Sequence, residues 1–187
     1  MSGAGDPAAV PVPALAAFLL VLVVQRVSEL ILSARNARRL LARGAREHGR
    51  EHYPLLVLLH ALFPLALVAE VLALHARPGR LAPLWLALWL VAQGLRYAAM
   101  RALGEQWNTR VLVLPGAPLV RRGSYRWFPH PNYLAVVIEF VAAPLMFGAW
   151  RTALAFSLAN LLVLRIRIRC EERALAGTDV EPPPALC

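Results

Sequence analysis

Five apolar stretches, each close to the length of a bilayer crossing, constrain this chain more than anything else in it. They cover about Pro13–Ser33, Pro54–His75, Pro83–Met100, Tyr133–Trp150 and Thr152–Ile168. A helix rises about 1.5 Å per residue and the hydrocarbon core is about 30 Å thick, so a span takes about 20 mostly apolar residues. Arg26, Glu29, Glu70, Arg96 and Glu139 interrupt four of the five. Hydrophobic residues make up 59% and charged residues 17% of the 187, against about 45–50% and about 25% in soluble domains. A disordered chain is thereby excluded. So is a secreted disulfide scaffold, because Cys170 and Cys187 are the only cysteines. The pattern predicts an all-α integral membrane protein of about five transmembrane helices. It reads as one domain over 1–175, ending in a helical hairpin, with a proline-rich, disordered tail over 176–187. Asp6 and the lack of a basic leader argue against a cleavable signal peptide.

The basic residues give the orientation. All 20 are arginine, and with 11 acids the net charge is +9. Such a balance raises nucleic acid as a partner, but the arginines cluster beside apolar stretches, which points to membrane lipids. Six lie between 35 and 52, five between 101 and 132, and four from 165 onward. The opposite connections hold only Arg77, Arg80 and Arg151. The positive-inside rule then predicts a multi-pass protein of a bacterial-type cell membrane, N-terminus outside and C-terminus cytoplasmic. Residues 34–53 read as a basic helix continuing the first span and resting on anionic headgroups. His48 and His52 sit at i, i+4, but no third ligand lies nearby, so no metal site is expected.

Charges inside spans are costly and normally pair or face a protein-lined cavity. Arg26 and Glu29, three apart, are read as neutralising one another. Gln93, Arg96 and Tyr97 are read as sharing one face, with Arg96 snorkelling toward the cytoplasmic interface. Glu70 is read as interfacial. Asn132 and Glu139, seven apart, look to one side of the fourth helix.

The connection from Leu103 to Leu134 is too long and turn-rich for a plain link. Pro115–Gly116 and Arg122–Gly123 mark turns, and Arg110–Leu114 is β-prone. His130-Pro131-Asn132-Tyr133 then enters the fourth span, with Pro131 suited to the first helical turn. His130 falls at the positive end of that helix dipole. No Gly-x-Gly-x-x-Gly follows a strand, so a Rossmann-type cofactor site is absent.

Taken together, Gly123-Ser124-Tyr125, His130-Pro131-Asn132-Tyr133 and Arg165-IRIRC-Glu171-Glu172 resemble the core of the isoprenylcysteine carboxyl methyltransferase family of integral membrane proteins. QWNTRVLVLPG and EHYPLLVLLH are most similar to a bacterial branch often encoded beside type III polyketide synthases. The resemblance covers roughly residues 25–175. Pro129 stands where the family usually has a basic residue. The chain also ends soon after Glu172, without the family's aromatic and basic tail.

The resemblance implies S-adenosylmethionine as cofactor, in a pocket formed by the cytoplasmic loop, the last two helices and the tail. Gly123, Tyr125, His130, Pro131, Tyr133, Arg165, Arg167, Glu171 and Glu172 are the implied cofactor residues. Arg165, Arg167 or His130 suits the cofactor carboxylate, the glutamates suit ribose hydroxyls, and the tyrosines offer faces or anchors. His130, Glu139 and Arg165 are the candidate catalytic residues, the first two as bases for a hydroxyl acceptor. The implied function is O-methylation of a lipidic small molecule, on a carboxylate or on a phenolic or enolic hydroxyl as in an alkylresorcinol or alkylpyrone. The bacterial likeness favours the hydroxyl. An NADPH-dependent sterol-type reductase shares a His-Pro-Asn-Tyr element, and a membrane scaffold or small transporter would also explain the spans. The acceptor lipid and the oligomeric state do not follow from the sequence.

Overall fold

The structure is a computed structural model and describes residues 10–176. Those residues form five helices: α1 (Val12–Ala42), α2 (Tyr53–Ala73), α3 (Ala82–Leu103), α4 (Pro131–Met146) and α5 (Trp150–Leu175). Two short strands, β1 (Arg46–His48) and β2 (Val111–Val113), and single 3-10 turns at Gly104–Gln106 and Gly123–Arg126 complete them. Four helices carry proline in the first turn. There the missing N–H costs nothing and the fixed φ is already helical.

The basic extension of α1 is helical only to Ala42. Gly44 takes φ 87° and Gly49 φ 63°, left-handed conformations that a continuous helix does not contain. The chain between them pairs antiparallel with β2, Arg46 opposite Val113 and His48 opposite Val111. His48 therefore lies on a strand and His52 directly before α2, not on one helical face. No group of three metal-ligating side chains occurs among the described residues.

By length and composition alone, α1 and α2 are long and apolar enough to cross a membrane. α4 is apolar but has 16 residues, about 24 Å at the helical rise. Gln93 and Arg96 lower the apolarity of α3, as Asn160 and the arginines do that of α5. Both nonetheless turn leucines outward: Leu84 and Leu90 on α3, Leu154, Leu158 and Leu162 on α5. Between the helices, Phe18 packs on Trp89 and Phe147 (centroids 5.2 and 5.1 Å), and Phe63 on Phe140 (4.6 Å). The Phe18, Trp89 and Phe147 rings weld one end of the bundle, whereas Phe63 and Phe140 stand further along it.

Two features hold that ring-packed end together. Glu70 is not interfacial but buried. It accepts the backbone N–H groups of Arg151 (3.0 Å) and Thr152 (2.6 Å) and the Thr152 hydroxyl (2.7 Å). A carboxylate on α2 thus caps the N-terminus of α5, where N–H groups lack partners and the dipole is positive. The α4–α5 turn is tight, with Gly148 at φ 76°. A Cβ there would overlap the backbone carbonyl of Arg77. We therefore expect Gly148→Ala to destabilise the protein by about 1–3 kcal/mol. Its thermal melt in detergent should fall by several degrees, while Gly79→Ala, in open space, should leave the melt unchanged.

Candidate active site

Two cavities lie at the loop end of the bundle, and one wall divides them. The inner, of about 340 Å³, runs between α1, α2 and α4, and Leu22, Val23, Val27, Leu56 and Phe140 are among its apolar lining. The outer, of about 740 Å³, lies under the 106–130 connection and is lined in part by Tyr125, His130, Arg167, Glu171 and Glu172. Both fall within the usual range of small-molecule sites, about 300–1,000 Å³. Asn108, Tyr133 and Arg167 line both.

That wall is built by hydrogen bonds from four directions. Arg167, buried on α5, donates through Nε to the Tyr133 hydroxyl (2.9 Å) and through Nη2 to the Thr109 carbonyl (2.6 Å). The Tyr133 hydroxyl in turn donates to the Glu171 carboxylate. Asn108 and Thr109 are pinned to α1: Asn108 Nδ2 donates to the Ser33 carbonyl (3.0 Å), and the Thr109 N–H to Ser33 Oγ (3.0 Å). Asn36 Nδ2 donates to the Trp107 carbonyl (2.8 Å). Arg39 and Arg43 pair with Glu105 at 2.8 and 3.4 Å. Such exposed pairs contribute little, about 0–1 kcal/mol each, so the buried bonds to Ser33 and Asn36 fix the connection.

His130 directly precedes α4, its ring stacked on Tyr133 (5.3 Å) and its Nε2 3.4 Å from Glu172. Tyr125 lines the outer cavity. Burial, and then the charge of Glu171, push its hydroxyl above the usual tyrosine range, so it stays a neutral donor. Pro131 is buried in the first turn of α4. Gly123 lines neither cavity; it starts the 3-10 turn at φ 59°, close against Ala102.

Arg165, expected at the cofactor, lines neither cavity. It is exposed on α5 and borders a shallow outer crevice together with His130, Tyr133 and Arg169. Alternate residues of a helix point about 200° apart, so seating Arg167 in the wall turns Arg165 out.

Glu139 lies elsewhere again, two helical turns inward of Tyr133. It is the centre of a buried ionic network that the local spacing did not reveal. Arg26 donates to Glu29 (2.7 Å) and with Nη2 to both oxygens of Glu139 (2.7 and 2.6 Å). Arg96 bonds Glu29 (3.1 Å) and Glu139, and Gln25 bridges Glu29 and Gln93 (3.0 and 2.6 Å). So Arg96 does not snorkel; its side chain is 1% exposed. Tyr97, expected on the same face, points outward. Glu139 and Asn132 do share the inner cavity. Its oxygens are thus already engaged by two guanidinium groups.

Comparison with known proteins decides the family. The model of the Isoprenylcysteine carboxyl methyltransferase (ICMT) family matches residues 85–177. The Bacillus subtilis (strain 168) protein YpbQ, described as uncharacterized, is 41% identical over 164 residues, 86% of this chain and 96% of that one. The chain belongs to the isoprenylcysteine carboxyl methyltransferase family. It is a membrane methyltransferase by that membership. An uncharacterized Haemophilus influenzae (strain ATCC 51907 / DSM 11121 / KW20 / Rd) protein is 28% identical over 81% of this chain and 88% of its own. No solved structure matches. The family match spans α3 to the end of α5, so it takes in most of the wall but not Arg26, Glu29 or Tyr53, whose hydroxyl lies 3.2 Å from Thr109 Oγ1 in the inner cavity.

Tyr53, Asn108 and Thr109 were missed as site residues. The only sequence signal for the last two was the family-like QWNTRVLVLPG segment. The ionic network yields a direct test. Arg96→Leu leaves two buried carboxylates sharing one guanidinium, which should cost about 3–5 kcal/mol. Arg96→Leu combined with Glu139→Leu removes one charge of each sign and should recover much of that loss in thermal melts.

Proposed function

We propose that the protein is an S-adenosylmethionine-dependent O-methyltransferase whose acceptor is a lipidic small molecule. The observation that carries the reading is the shared wall. An outer cavity that carries the charged side chains of Arg167, Glu171 and Glu172 and a more apolar cavity inside the bundle meet at Asn108, Tyr133 and Arg167. A charged donor and a hydrocarbon-tailed acceptor need such opposite surroundings and one point of contact.

The residues of the outer cavity fit the cofactor's chemistry. Glu171 and Glu172 are acceptors for ribose hydroxyls, and Tyr125 and His130 present ring faces and donors. Arg167 brings positive charge to the cavity wall, where a carboxylate is stabilised. When bound, S-adenosylmethionine supplies an electrophilic methyl on a sulfonium. The chain's part is to hold donor and acceptor in line and keep water out, and positioning of this kind accounts for a large share of such catalysis.

On the acceptor side, a phenolic or enolic hydroxyl, as on an alkylresorcinol or alkylpyrone, is favoured. The inner cavity is not purely apolar: Arg26 and His60 border it. His60 Nδ1 lies 2.9 Å from the Leu56 carbonyl; it therefore donates there, and Nε2 is left as an acceptor. A prenyl chain would leave these polar groups facing hydrocarbon, at a desolvation cost, whereas an oxygenated ring has partners for them. A hydroxyl acceptor must lose a proton. The Tyr133 hydroxyl, bonded to Glu171, offers a route from the wall to a carboxylate, in place of Glu139. A carboxylate acceptor would need no base at all.

The proposal includes five crossings, with the N-terminus outside and the C-terminus cytoplasmic, supported by the arginine distribution and the outward leucines of α3 and α5. Reporter fusions at Arg77 and Cys187 should then report opposite sides; the same side for both would overturn the topology. For the site, isothermal titration of detergent-purified protein with S-adenosylmethionine should give saturable binding. Arg167→Ala and Glu172→Ala should weaken it about tenfold or more, the loss of a charge-assisted hydrogen bond. Arg165→Ala should change it little. Binding of NADPH instead would overturn the methyl-donor assignment.

A further inference from the structure

The face of α3 that turns away from both cavities carries its own constellation. Gly94, Tyr97, Ala98 and Arg101 form an outward stripe at helical spacing, and Arg122 stands across from them on the 106–130 connection. Arg122 is fixed in place: its Nε donates to the Ala102 carbonyl at 3.0 Å. Gly123, at φ 59° and close against the Ala102 methyl, brings the connection onto the helix. Neither Arg101 nor Arg122 has a carboxylate partner among the described residues. Below them the groove floor is small and open, since no atom lies within 4 Å of where a Gly94 Cβ would stand. Just beyond the 3-10 turn, Trp127 and Phe128 are 77% and 44% exposed, and the Arg126 guanidinium lies 5.8 Å from the Trp127 ring.

We infer that this groove binds an anionic phospholipid, the phosphate between Arg101 and Arg122 and an acyl chain over Ala98 and Gly94. The charge is complementary: two guanidinium groups without a carboxylate partner among the described residues stand at the basic end of α3, in a chain of net charge +9. Arginine suits phosphate because its donors form a planar fork. The apolar floor and the exposed Trp127 and Phe128 distinguish a lipid from a free ion, which needs neither. Aromatic rings of this kind sit at the headgroup level of a bilayer. Because Arg122 is continuous with Tyr125 and His130, the lipid would moor the segment that roofs the outer cavity to the membrane surface.

The inference rests on α3 facing lipid and not on methyl transfer, so the test reads lipid retention and not activity. Native mass spectrometry of the detergent-purified full chain, offered equimolar phosphatidylglycerol and phosphatidylcholine, should show a preference for phosphatidylglycerol. A surface arginine contributes about fivefold in affinity for anionic lipid, so Arg101→Gln with Arg122→Gln should reduce that adduct by about twentyfold. Arg35→Gln with Arg38→Gln, on the exposed face of α1, should retain it. Gly94→Leu fills the floor without touching a guanidinium and should also lose the adduct, which keeps the test decisive if the double arginine variant folds poorly. Equal retention of both lipids would overturn the site, as would equal losses in the α1 control. Full displacement by millimolar inorganic phosphate would make it an anion site and overturn the lipid assignment.

Discussion

Two arginines and two glutamates from three helices, buried together, are the constraint on which the bundle depends. Arg26 and Glu29 come from α1, Arg96 from α3 and Glu139 from α4, and the last three side chains are at most 6% exposed. None of these charges is tolerable alone in a low-dielectric interior, where an unpaired ion costs several kcal/mol. Four together sum to zero and satisfy one another. The arrangement works only if α1, α3 and α4 stand in one relative register, so the network selects that register. Ring packing at the opposite end is less exacting, because apolar contacts tolerate small displacements that a set of charged hydrogen bonds does not.

The same register places the wall. Ser33 lies one turn beyond Glu29 on α1 and holds Asn108 and Thr109. Tyr133 lies two turns before Glu139 on α4 and holds Arg167. Fixing Glu29 against Glu139 therefore fixes Ser33 against Tyr133, and the loop carrying Asn108 is caught between them. A long connection that would otherwise cost entropy to order is anchored by buried hydrogen bonds to two helices whose spacing is already set. Catalysis by positioning depends on a rigid support of this sort.

How far the sequence revealed this depends on the range of each interaction. Helix starts were legible because a proline in the first turn is a local signal, and four of the five helices have one. The family core from Gly123 to Glu172 was legible as a pattern. The Arg26–Glu29 pair was visible at i, i+3, but its link to Glu139 joins residues 113 positions apart, which no local spacing reveals. The strand at Arg46–His48 was hidden because three residues have no periodicity of their own; pairing with Val111–Val113 defines it. Arg165 and Arg167 were indistinguishable by type, and only the position of Tyr133 and Thr109 chooses between them.

The absence of lysine fits this architecture. Arg167 directs Nε to a hydroxyl and Nη2 to a carbonyl on different elements, and Arg26 spans two carboxylates on different helices. A guanidinium does this because its five donors are fixed in a plane, so one side chain bridges partners that do not move. An ammonium has three donors at a single point and is readily deprotonated when buried. Replaced by lysine, either position would hold its partners through one atom and lose the two-point bridge that fixes them. The physical demand is strongest at the buried positions.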